Sequence, residues 1–332
     1  MKILVTGASG FIGGRFARFA LEQGFDVRVS GRRAEGVEHL VRRGAEFIQG
    51  DLTDGLLVRD LCVDVDVVVH CAGHVGTWGR YQDFFRDNVL VTENVVEACL
   101  KQRVRRLVHL SSAALYFDGH SHLGLTEEDV PRRFKHPYAE TRFMAEQKVF
   151  GAQEFGLEVI ALRPRFVAGA GDMNLFTRLL AQQRKNRLAI IGNGLNKVDF
   201  TSMQNLNDAL MNSVLVSGSA LGKAYNISNG TPIPYWDVVN YVMRQMHVPP
   251  VTRYRGPGMA YSVGALSEAA CKLWPGQPAP TLTRLGVQEM SKDFTLDISR
   301  ARHYLDYDPK VSLWTALDEF CGWWKAQESP YR

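Results

Sequence analysis

Glycines near the N-terminus have the spacing of turns that bind the phosphates of a dinucleotide. Residues 6–13 read TGASGFIG and directly follow an apolar run. In this spacing Gly7 allows a sharp turn, Gly10 lets a pyrophosphate approach the backbone, and Gly13 lets a helix pack closely on a strand. The free N–H groups and the dipole at the start of that helix favour anions. The residues predicted to bind the dinucleotide here are Gly7, Ser9, Gly10, Phe11, Ile12 and Gly13.

The end of the second candidate strand bears on which dinucleotide would bind. Residues 29–33 read VSGRR and contain no acidic side chain, although a carboxylate here would bind the ribose 2′-hydroxyl of NAD. Arg32 and Arg33 stand there instead, and a guanidinium pairs well with a 2′-phosphate. The sequence therefore favours NADP(H). NAD(H) is the alternative if both arginines belong only to a solvated loop.

Strand and helix patterns alternate through the first half of the chain. Several strand candidates are apolar without alternation, which is typical of parallel strands covered on both faces. This βαβα order predicts an α/β fold with a Rossmann-type, doubly wound parallel sheet. The strand candidates are 2–6, 26–30, 45–49, 65–70, 106–111 and 158–163, and the helix candidates are 12–23, 35–43, 55–61, 82–101 and 138–154.

The alternation loosens after residue 163, where we place a soft boundary. Residues 1–163 are predicted to form an NAD(P)-binding domain. Residues 164–332 are predicted to form a smaller substrate-binding part, some segments of which could return to the main sheet. Candidate strands there are 188–191 and 224–228, and candidate helices are 174–186, 235–247, 260–273, 297–305 and 312–326.

Composition limits the classes of protein to be considered. Hydrophobic residues make up 45% of the 332 residues, which is enough to bury a core and excludes disorder as the main state. A net charge of +4 suits a small anionic ligand and gives no argument for nucleic acid. Five cysteines without a CxxC pair suggest reduced thiols in a cytoplasmic protein, and no metal site is indicated. No apolar run reaches the ~18 residues of an integral membrane segment.

Further motifs resemble the extended short-chain dehydrogenase/reductase superfamily, of the NAD-dependent epimerase/dehydratase type. Besides the glycine turn, they are GDL at 50–52, HCAG at 70–73, the asparagine-valine pairs at 88–89 and 94–95, SSAALY at 111–116, and Arg163-Pro164 followed by Val167 and Gly169. The resemblance implies that the residues around these motifs line the cofactor, with Asp51 at the adenine. The positions carried over are Asp51, Leu52, Cys71, Ala72, Gly73, Asn88, Pro164 and Val167.

Three stretches are most similar to the 3β-hydroxysteroid dehydrogenase/isomerase-like branch of that superfamily. They are GHVGTWG at 73–79, IGNGLNKVDF at 191–200 and YLDYDP at 304–309. The branch includes reductases of steroids, sterols and long-chain keto acids. By analogy with the superfamily, a homodimer is expected.

The resemblance also implies a catalytic group of tyrosine, serine and lysine. A free phenol has a pKa of ~10, and a nearby positive charge makes such a group more acidic. The family places the lysine four residues after the tyrosine, on the same helical face. Tyr138 matches the tyrosine and would be the acid/base, while Ser112 matches the serine.

Arg142 stands where the family has lysine. Arginine keeps a positive charge and five donors, but it is bulkier and its charge is more diffuse. Two outcomes stay open. In the first, which we favour because the other cofactor motifs are intact, Arg142 substitutes for the lysine. In the second, the phenol is poorly activated and the protein binds NADP(H) with weak catalysis.

The substrate is predicted to be hydrophobic. Aromatic residues crowd the C-terminal half, and the loop after the fourth strand offers candidate substrate contacts at His74, Trp78 and Tyr81. Such lining suits a secondary alcohol or ketone that is steroid-like or long-chain. The leading hypothesis is therefore an NADP(H)-dependent oxidoreductase, and the alternative enzyme is a nucleotide-sugar epimerase or dehydratase that retains NAD.

Overall fold

The computed structural model describes residues 1–328 of the chain. The strands are β1 (Lys2–Thr6), β2 (Asp26–Gly31), β3 (Glu46–Gln49), β4 (Val67–His70), β5 (Arg106–Leu110), β6 (His122–Leu125), β7 (Glu158–Pro164), β8 (Val167–Ala168), β9 (Ile190–Ile191), β10 (Lys197–Val198), β11 (Thr201–Ser202), β12 (Lys223–Ile227), β13 (Ile233–Pro234), β14 (Tyr254–Arg255) and β15 (Phe294–Leu296). The α-helices are α1 (Phe11–Glu22), α2 (Glu38–Val41), α3 (Gly55–Leu61), α4 (Tyr81–Phe84), α5 (Val91–Lys101), α6 (Pro137–Gly151), α7 (Phe176–Arg184), α8 (Met203–Leu215), α9 (Tyr235–Gln245), α10 (Pro257–Leu273), α11 (Arg284–Glu289), α12 (Ser299–Leu305) and α13 (Leu313–Glu328).

Seven strands form one parallel sheet in the order β12-β7-β5-β4-β1-β2-β3. The chain runs outward in one direction from β1 to β3 and then returns to β4 on the other side of β1. The carboxyl ends of β1 and β4 therefore lie at a point where the strand order reverses, which is where open α/β sheets bind ligands. The predicted fold class is confirmed. Strand β12 comes from beyond residue 163, so the sheet extends across the predicted boundary.

Continuous apolar runs form the central strands because helices cover both faces of the sheet. Ile3 and Val5 pack on one face with Phe16 of α1, whereas Leu4 packs on the opposite face with Val95 of α5. All five of these side chains are buried. Alternate side chains of β1 thus belong to two apolar clusters, one on each face of the sheet. This packing fixes the carboxyl ends of the strands, which position the residues described below.

Strands β10, β13 and β15 of the second half join β6 of the first half in a four-stranded sheet, in the order β13-β10-β15-β6. Its strands are two to four residues long, too short to produce a readable period, so β6 and β15 were missed in the sequence. The predicted helix 35–43 is only the single turn α2, and the predicted helix 82–101 is interrupted by a π-helical segment at Phe85–Leu90. Among residues 1–328, none of the helices combines the length and apolarity needed to cross a membrane.

Candidate active site

The glycine turn has no room for side chains at two positions. Gly7 has a φ of +69°, and a Cβ placed on it would lie 2.7 Å from the backbone nitrogen of Ala72. A Cβ on Gly13 would lie 2.5 Å from the carbonyl oxygen of Gly7. Both distances are too short for non-bonded atoms. The close packing of α1 on the ends of β1 and β4 therefore requires these two glycines.

The start of α1 faces a cleft with unsatisfied backbone donors. Gly10 precedes the helix and provides no side-chain cap, so the first N–H groups keep their capacity to bind an anion. The cleft has a volume of about 480 Å³, within the ~300–1,000 Å³ typical of small-molecule sites. We call it the glycine-turn cleft; its lining residues are Gly7, Ser9, Gly10, Ser30, Gly31, Arg32, Gly50, Asp51, Leu52, Cys71, Ala72, Gly73, His74, Asp87 and Val91.

Nine of the predicted cofactor residues meet in this cleft. They come from the ends of β1, β2, β3 and β4, which the parallel sheet brings to one edge. At the far side, Asp51 accepts hydrogen bonds from the backbone and hydroxyl of Thr53, both at 2.9 Å. The backbone bond is the main reason that the pKa of Asp51 is lowered. The nine are Gly7, Ser9, Gly10, Arg32, Asp51, Leu52, Cys71, Ala72 and Gly73.

The other predicted cofactor residues lie outside the cleft lining. Gly13 packs under the turn, and the Phe11 ring contacts the turn at Gly171, where a Cβ would lie 3.2 Å from it. Asn88 is buried, accepting the backbone N–H of His74 at 2.7 Å and donating to the Thr141 hydroxyl at 3.0 Å. The remaining predicted residues that do not line the cleft are Ile12, Arg33, Pro164 and Val167.

A buried histidine beneath the cleft fixes its wall. The backbone N–H of Ala72 donates to the Thr6 hydroxyl, which contacts His70 Nδ1 at 2.7 Å. His70 Nε2 contacts Thr92 Oγ1 at 3.0 Å, and that hydroxyl donates to the carbonyl of Asn88. Because the Thr92 hydroxyl uses its own proton on Asn88, it accepts from His70, which places a proton on Nε2, and in the neutral ring Nδ1 accepts the Thr6 hydroxyl. Accordingly, burial and then the charge of Arg142 lower the pKa of His70 to about 3.

Arg142 joins the cleft to the candidate catalytic tyrosine. Its side chain is 97% buried, with a relative exposure of 3%, and its guanidinium lies against Gly73, where a Cβ would be 2.6 Å from Nη2. Nη1 donates to the carbonyl of Leu110 at 3.2 Å, and Nε has no hydrogen-bond partner among residues 1–328. The guanidinium carbon lies 5.6 Å from the centre of the Tyr138 ring. One turn of α6 thus places a buried cation between a cleft residue and the phenol.

The start of α6 is held by His136. Its Nδ1 accepts the backbone N–H of Tyr138 at 3.1 Å, and its Nε2 bonds to the Thr77 carbonyl at 3.0 Å. A ring that accepts through one nitrogen and donates through the other is neutral. Burial is the main cause of the lowered pKa of His136. Pro137 occupies the first helical turn, where its missing N–H carries no cost.

Tyr138 lines a second cavity, of about 350 Å³, next to the cleft. We call it the Tyr138 cavity. Helices α10 and α11 form one wall, and the loop at 77–79 forms another. Its lining residues are Thr77, Trp78, Gly79, Ala114, Phe117, Lys135, His136, Pro137, Tyr138, Ala139, Tyr261, Glu268, Lys272, Arg284, Leu285 and Gln288.

Ser112 lies at the carboxyl end of β5 and lines neither space, although Ala114 lines the Tyr138 cavity. Its Oγ accepts the backbone N–H of Ala114 at 3.1 Å. An oxygen that accepts here still has its own proton to donate. The hydroxyl can therefore donate a hydrogen bond to a third group.

The three predicted substrate residues lie in different places. Trp78 lines the Tyr138 cavity and donates to the carbonyl of Gln277 at 3.2 Å. His74 lines the glycine-turn cleft, with Nδ1 3.3 Å from Asp87. Tyr81 lines neither, and its hydroxyl contacts the sulfur of Met144 at 3.7 Å. The structure thus brings only Trp78 into the cavity with Tyr138.

A buried ion pair attaches α6 to β7. Arg163 and Glu146 form two hydrogen bonds, one of them from Nε to Oε2 at 3.0 Å, and both side chains are almost fully buried. Arg163 also donates to the Tyr116 hydroxyl at 2.6 Å. Removing either member would leave an uncompensated buried charge. This pair therefore fixes the helix that carries Tyr138.

Most polar residues of the Tyr138 cavity escaped the sequence reasoning. Glu268 and Lys272 lie one turn apart on α10, but Gln288 is on α11 and Lys135 is more than 130 residues earlier in the chain, so no local pattern relates these residues to Tyr138. His136 stands just before Pro137, at the position that caps the start of α6. The usual capping residues are Ser, Thr, Asp and Asn, so the pattern gave no signal.

Comparison with known proteins agrees with this geometry. The family described as NAD dependent epimerase/dehydratase matches residues 3–228. A 2-alkyl-3-oxoalkanoate reductase of Stenotrophomonas maltophilia (strain K279a) is 36% identical, covering 94% of this chain and 96% of that protein. Sterol-4-alpha-carboxylate 3-dehydrogenase, decarboxylating, of Homo sapiens is 30% identical, covering 96% of this chain and 86% of that protein. The resemblance stated from the sequence motifs is confirmed.

Solved structures match the fold over the whole chain. UDP-glucuronic acid 4-epimerase from Bacillus cereus, in complex with NAD, aligns with a TM-score of 0.79 over 99% of this chain and 100% of that chain. Its sequence identity is 23%. This likeness establishes the shared architecture and no more.

Proposed function

The chain belongs to the NAD dependent epimerase/dehydratase family, and on that premise we propose that it reduces hydrophobic 3-oxo acids with NADPH. That it is an oxidoreductase follows from its relatives, which are named reductases and dehydrogenases. One observation carries the proposal. Tyr138 lines a cavity together with the aromatic residues Trp78, Phe117 and Tyr261. Arg142, one turn later, lies against Gly73 in the wall of the glycine-turn cleft. A proton donor and a dinucleotide site are thus next to each other.

The residues of the glycine-turn cleft fit a dinucleotide. Side chains are excluded at Gly7 and Gly13, and uncapped N–H groups at the start of α1 suit a diphosphate. When bound, a nicotinamide dinucleotide supplies or accepts a hydride.

Tyr138 donates the proton in the proposed reaction. Its hydroxyl proton passes to the carbonyl oxygen of the ketone. Ser112 does not line the cavity, but Ala114, whose backbone N–H its Oγ accepts, does, and the serine hydroxyl keeps a proton to donate. Within residues 1–328 no carboxylate forms a salt bridge with Arg142, so its positive charge beside the phenol is not offset by an ion pair. A fixed positive charge at this place stabilises the negative charge that develops on the phenol oxygen in the transition state.

Two features support NADP(H) over NAD(H). Arg32 lines the glycine-turn cleft, and its exposed guanidinium forms no salt bridge within residues 1–328. The end of β2 carries no carboxylate that would repel a 2′-phosphate or bind a ribose hydroxyl. A free guanidinium at this place suits the bidentate binding of a phosphate.

A coenzyme and substrate panel tests the proposal. Purified protein is mixed with NADPH or NADH and with a 2-alkyl-3-oxoalkanoate, a neutral long-chain ketone or UDP-glucose. We expect NADPH absorbance to fall fastest with the oxo acid and not to change with UDP-glucose. Conversion of UDP-glucose without net consumption of coenzyme, and no reduction of either ketone, would instead establish a sugar epimerase.

A further inference from the structure

The Tyr138 cavity carries more positive than negative charge. Its charged residues are Lys135, Lys272, Arg284 and Glu268. The buried Glu268 carboxylate accepts the backbone N–H of Arg284 at 2.7 Å and its Nε at 2.8 Å, so these two charges compensate each other. Neither lysine forms an ion pair within the described part of the chain. Two uncompensated ammonium groups therefore remain, and they favour an anionic ligand.

His136 adds no charge to this balance at neutral pH. Both ring nitrogens are engaged, one with the Tyr138 N–H and one with the Thr77 carbonyl. The groups facing it are Tyr138, Phe84 and, through its charge, Glu268. The excess positive charge of the cavity therefore resides on the two lysines.

Lys135 lies beside a second donor. A Cβ on Gly119 would lie 3.4 Å from the Nζ of Lys135 and 2.7 Å from the Nε2 of Gln288. The Lys135 ammonium and the Gln288 amide thus lie close to each other beside Gly119. A carboxylate has two acceptor oxygens and can accept from both groups.

The rest of the lining is apolar or aromatic, with Trp78, Phe117, Tyr261 and Leu285 among its members. Two ammonium groups and an amide in a cavity that also has aromatic and aliphatic walls fit a ligand with one anionic group on a hydrocarbon skeleton. A neutral ketone would leave both exposed ammonium groups with water alone as their partner, whereas a carboxylate would pair with them. The charge pattern thus distinguishes an acid from its ester.

We propose that Lys135 and Lys272, together with the Gln288 amide, bind the carboxylate of the substrate. This inference rests on the proposed function and adds the residues that select oxo acids. In a 3-oxo acid one carbon separates the carboxylate from the reacting carbonyl. Holding the carboxylate therefore also holds the carbonyl within the cavity that Tyr138 lines.

The test compares an acid with its ester. Reduction of 3-oxodecanoate and of its methyl ester is measured for wild type, Lys135→Gln, Lys272→Gln and the conservative Lys135→Arg. We expect each glutamine variant to raise KM for the acid about 10- to 100-fold, the range for a hydrogen bond to a charged group. The ester should be unaffected, and Lys135→Arg should retain most of the acid preference. Lys185→Gln, exposed and lining neither space, is the matched control.

Binding of octanoate, measured by calorimetry, separates this inference from the proposed function. If neither oxo compound is reduced but octanoate binds to wild type and not to the glutamine variants, the carboxylate site stands and the proposed reaction fails. If the acid and ester are reduced equally well by every variant, and octanoate affinity is unchanged, the carboxylate site is wrong and the reductase stands.

Discussion

The glycine-turn cleft and the Tyr138 cavity differ in what builds them. The cleft is shaped by backbone, since Gly7 and Gly13 are fixed by contacts in which any Cβ would collide. The cavity is shaped by side chains from the 77–79 loop, the start of α6 and the α10–α11 pair. A backbone site suits a ligand common to many enzymes, whereas side chains can change without disturbing the sheet. The two regions therefore separate coenzyme binding from substrate choice.

The largest expected effect comes from Tyr138→Phe, which should lower the rate of reduction in the Tyr138 cavity without changing coenzyme binding in the glycine-turn cleft. Removing the hydroxyl takes away the proton donor, so kcat should fall about 10²- to 10⁴-fold. The Kd for NADPH should stay within a factor of two or three, because the phenol does not line the glycine-turn cleft. Stopped-flow absorbance and fluorescence titration give the two values. Tyr81→Phe is the control, because the Tyr81 hydroxyl contacts the sulfur of Met144 and lines neither space. An equal loss of kcat in this variant would contradict the role of Tyr138.

Arg142 tests whether the two regions act together. Arg142→Met removes the buried charge between Gly73 and Tyr138, and we expect kcat to fall about 10²-fold, as for the loss of one preorganised donor. Arg142→Lys keeps the charge and should recover most of that loss. If the methionine variant were as active as wild type, the cation would have no part in the reaction, and Tyr138 would need another source of activation.

Arg32 should affect the cleft alone. Arg32→Ala should weaken NADPH binding about 10- to 100-fold and leave NADH binding and the choice of ketone unchanged. Arg33 does not line the cleft, so Arg33→Ala is the matched comparison and should have a smaller effect. Titration of each variant with both coenzymes gives the ratio of the Kd for NADH to the Kd for NADPH. An unchanged preference in Arg32→Ala would remove the structural argument for NADPH.

Substitution of His136 should give the smallest effect, a change in the free energy of unfolding, because this residue caps the helix that carries Tyr138. His136→Ala removes the cap of α6 and should cost about 1 kcal/mol of stability, whereas His136→Asn keeps an acceptor and should cost less. Because the pKa of His136 is lowered in the folded protein, its stabilising contribution is complete above its usual pKa and declines as the pH falls below it. Urea unfolding at pH 7 and pH 5 measures both the loss of stability in each variant and its dependence on pH. Identical pH dependence in wild type and both variants would exclude this role.

Sequence reasoning succeeded where a local pattern is enforced by sterics or by helical spacing. The glycine turn could be predicted because no other residue fits at Gly7 and Gly13. Tyr138 and Arg142 could be paired because four residues span one helical turn. Lys272 and Gln288 could not be placed near Tyr138, because only tertiary packing of α10 and α11 brings them there. Asn88 was expected at the cofactor, yet it bridges His74 and Thr141 inside the protein.

The central claim is that a ketone in the Tyr138 cavity receives its hydride from a dinucleotide in the glycine-turn cleft. Reduction of a 3-oxo acid with NADPH deuterated at C4 of the nicotinamide tests it most directly. We predict that one face of C4 delivers deuterium to the carbinol carbon of the product, and that Tyr138→Phe slows this transfer about 10²- to 10⁴-fold while still binding the coenzyme. A deuterium-free alcohol, or transfer undiminished in Tyr138→Phe, would contradict the account.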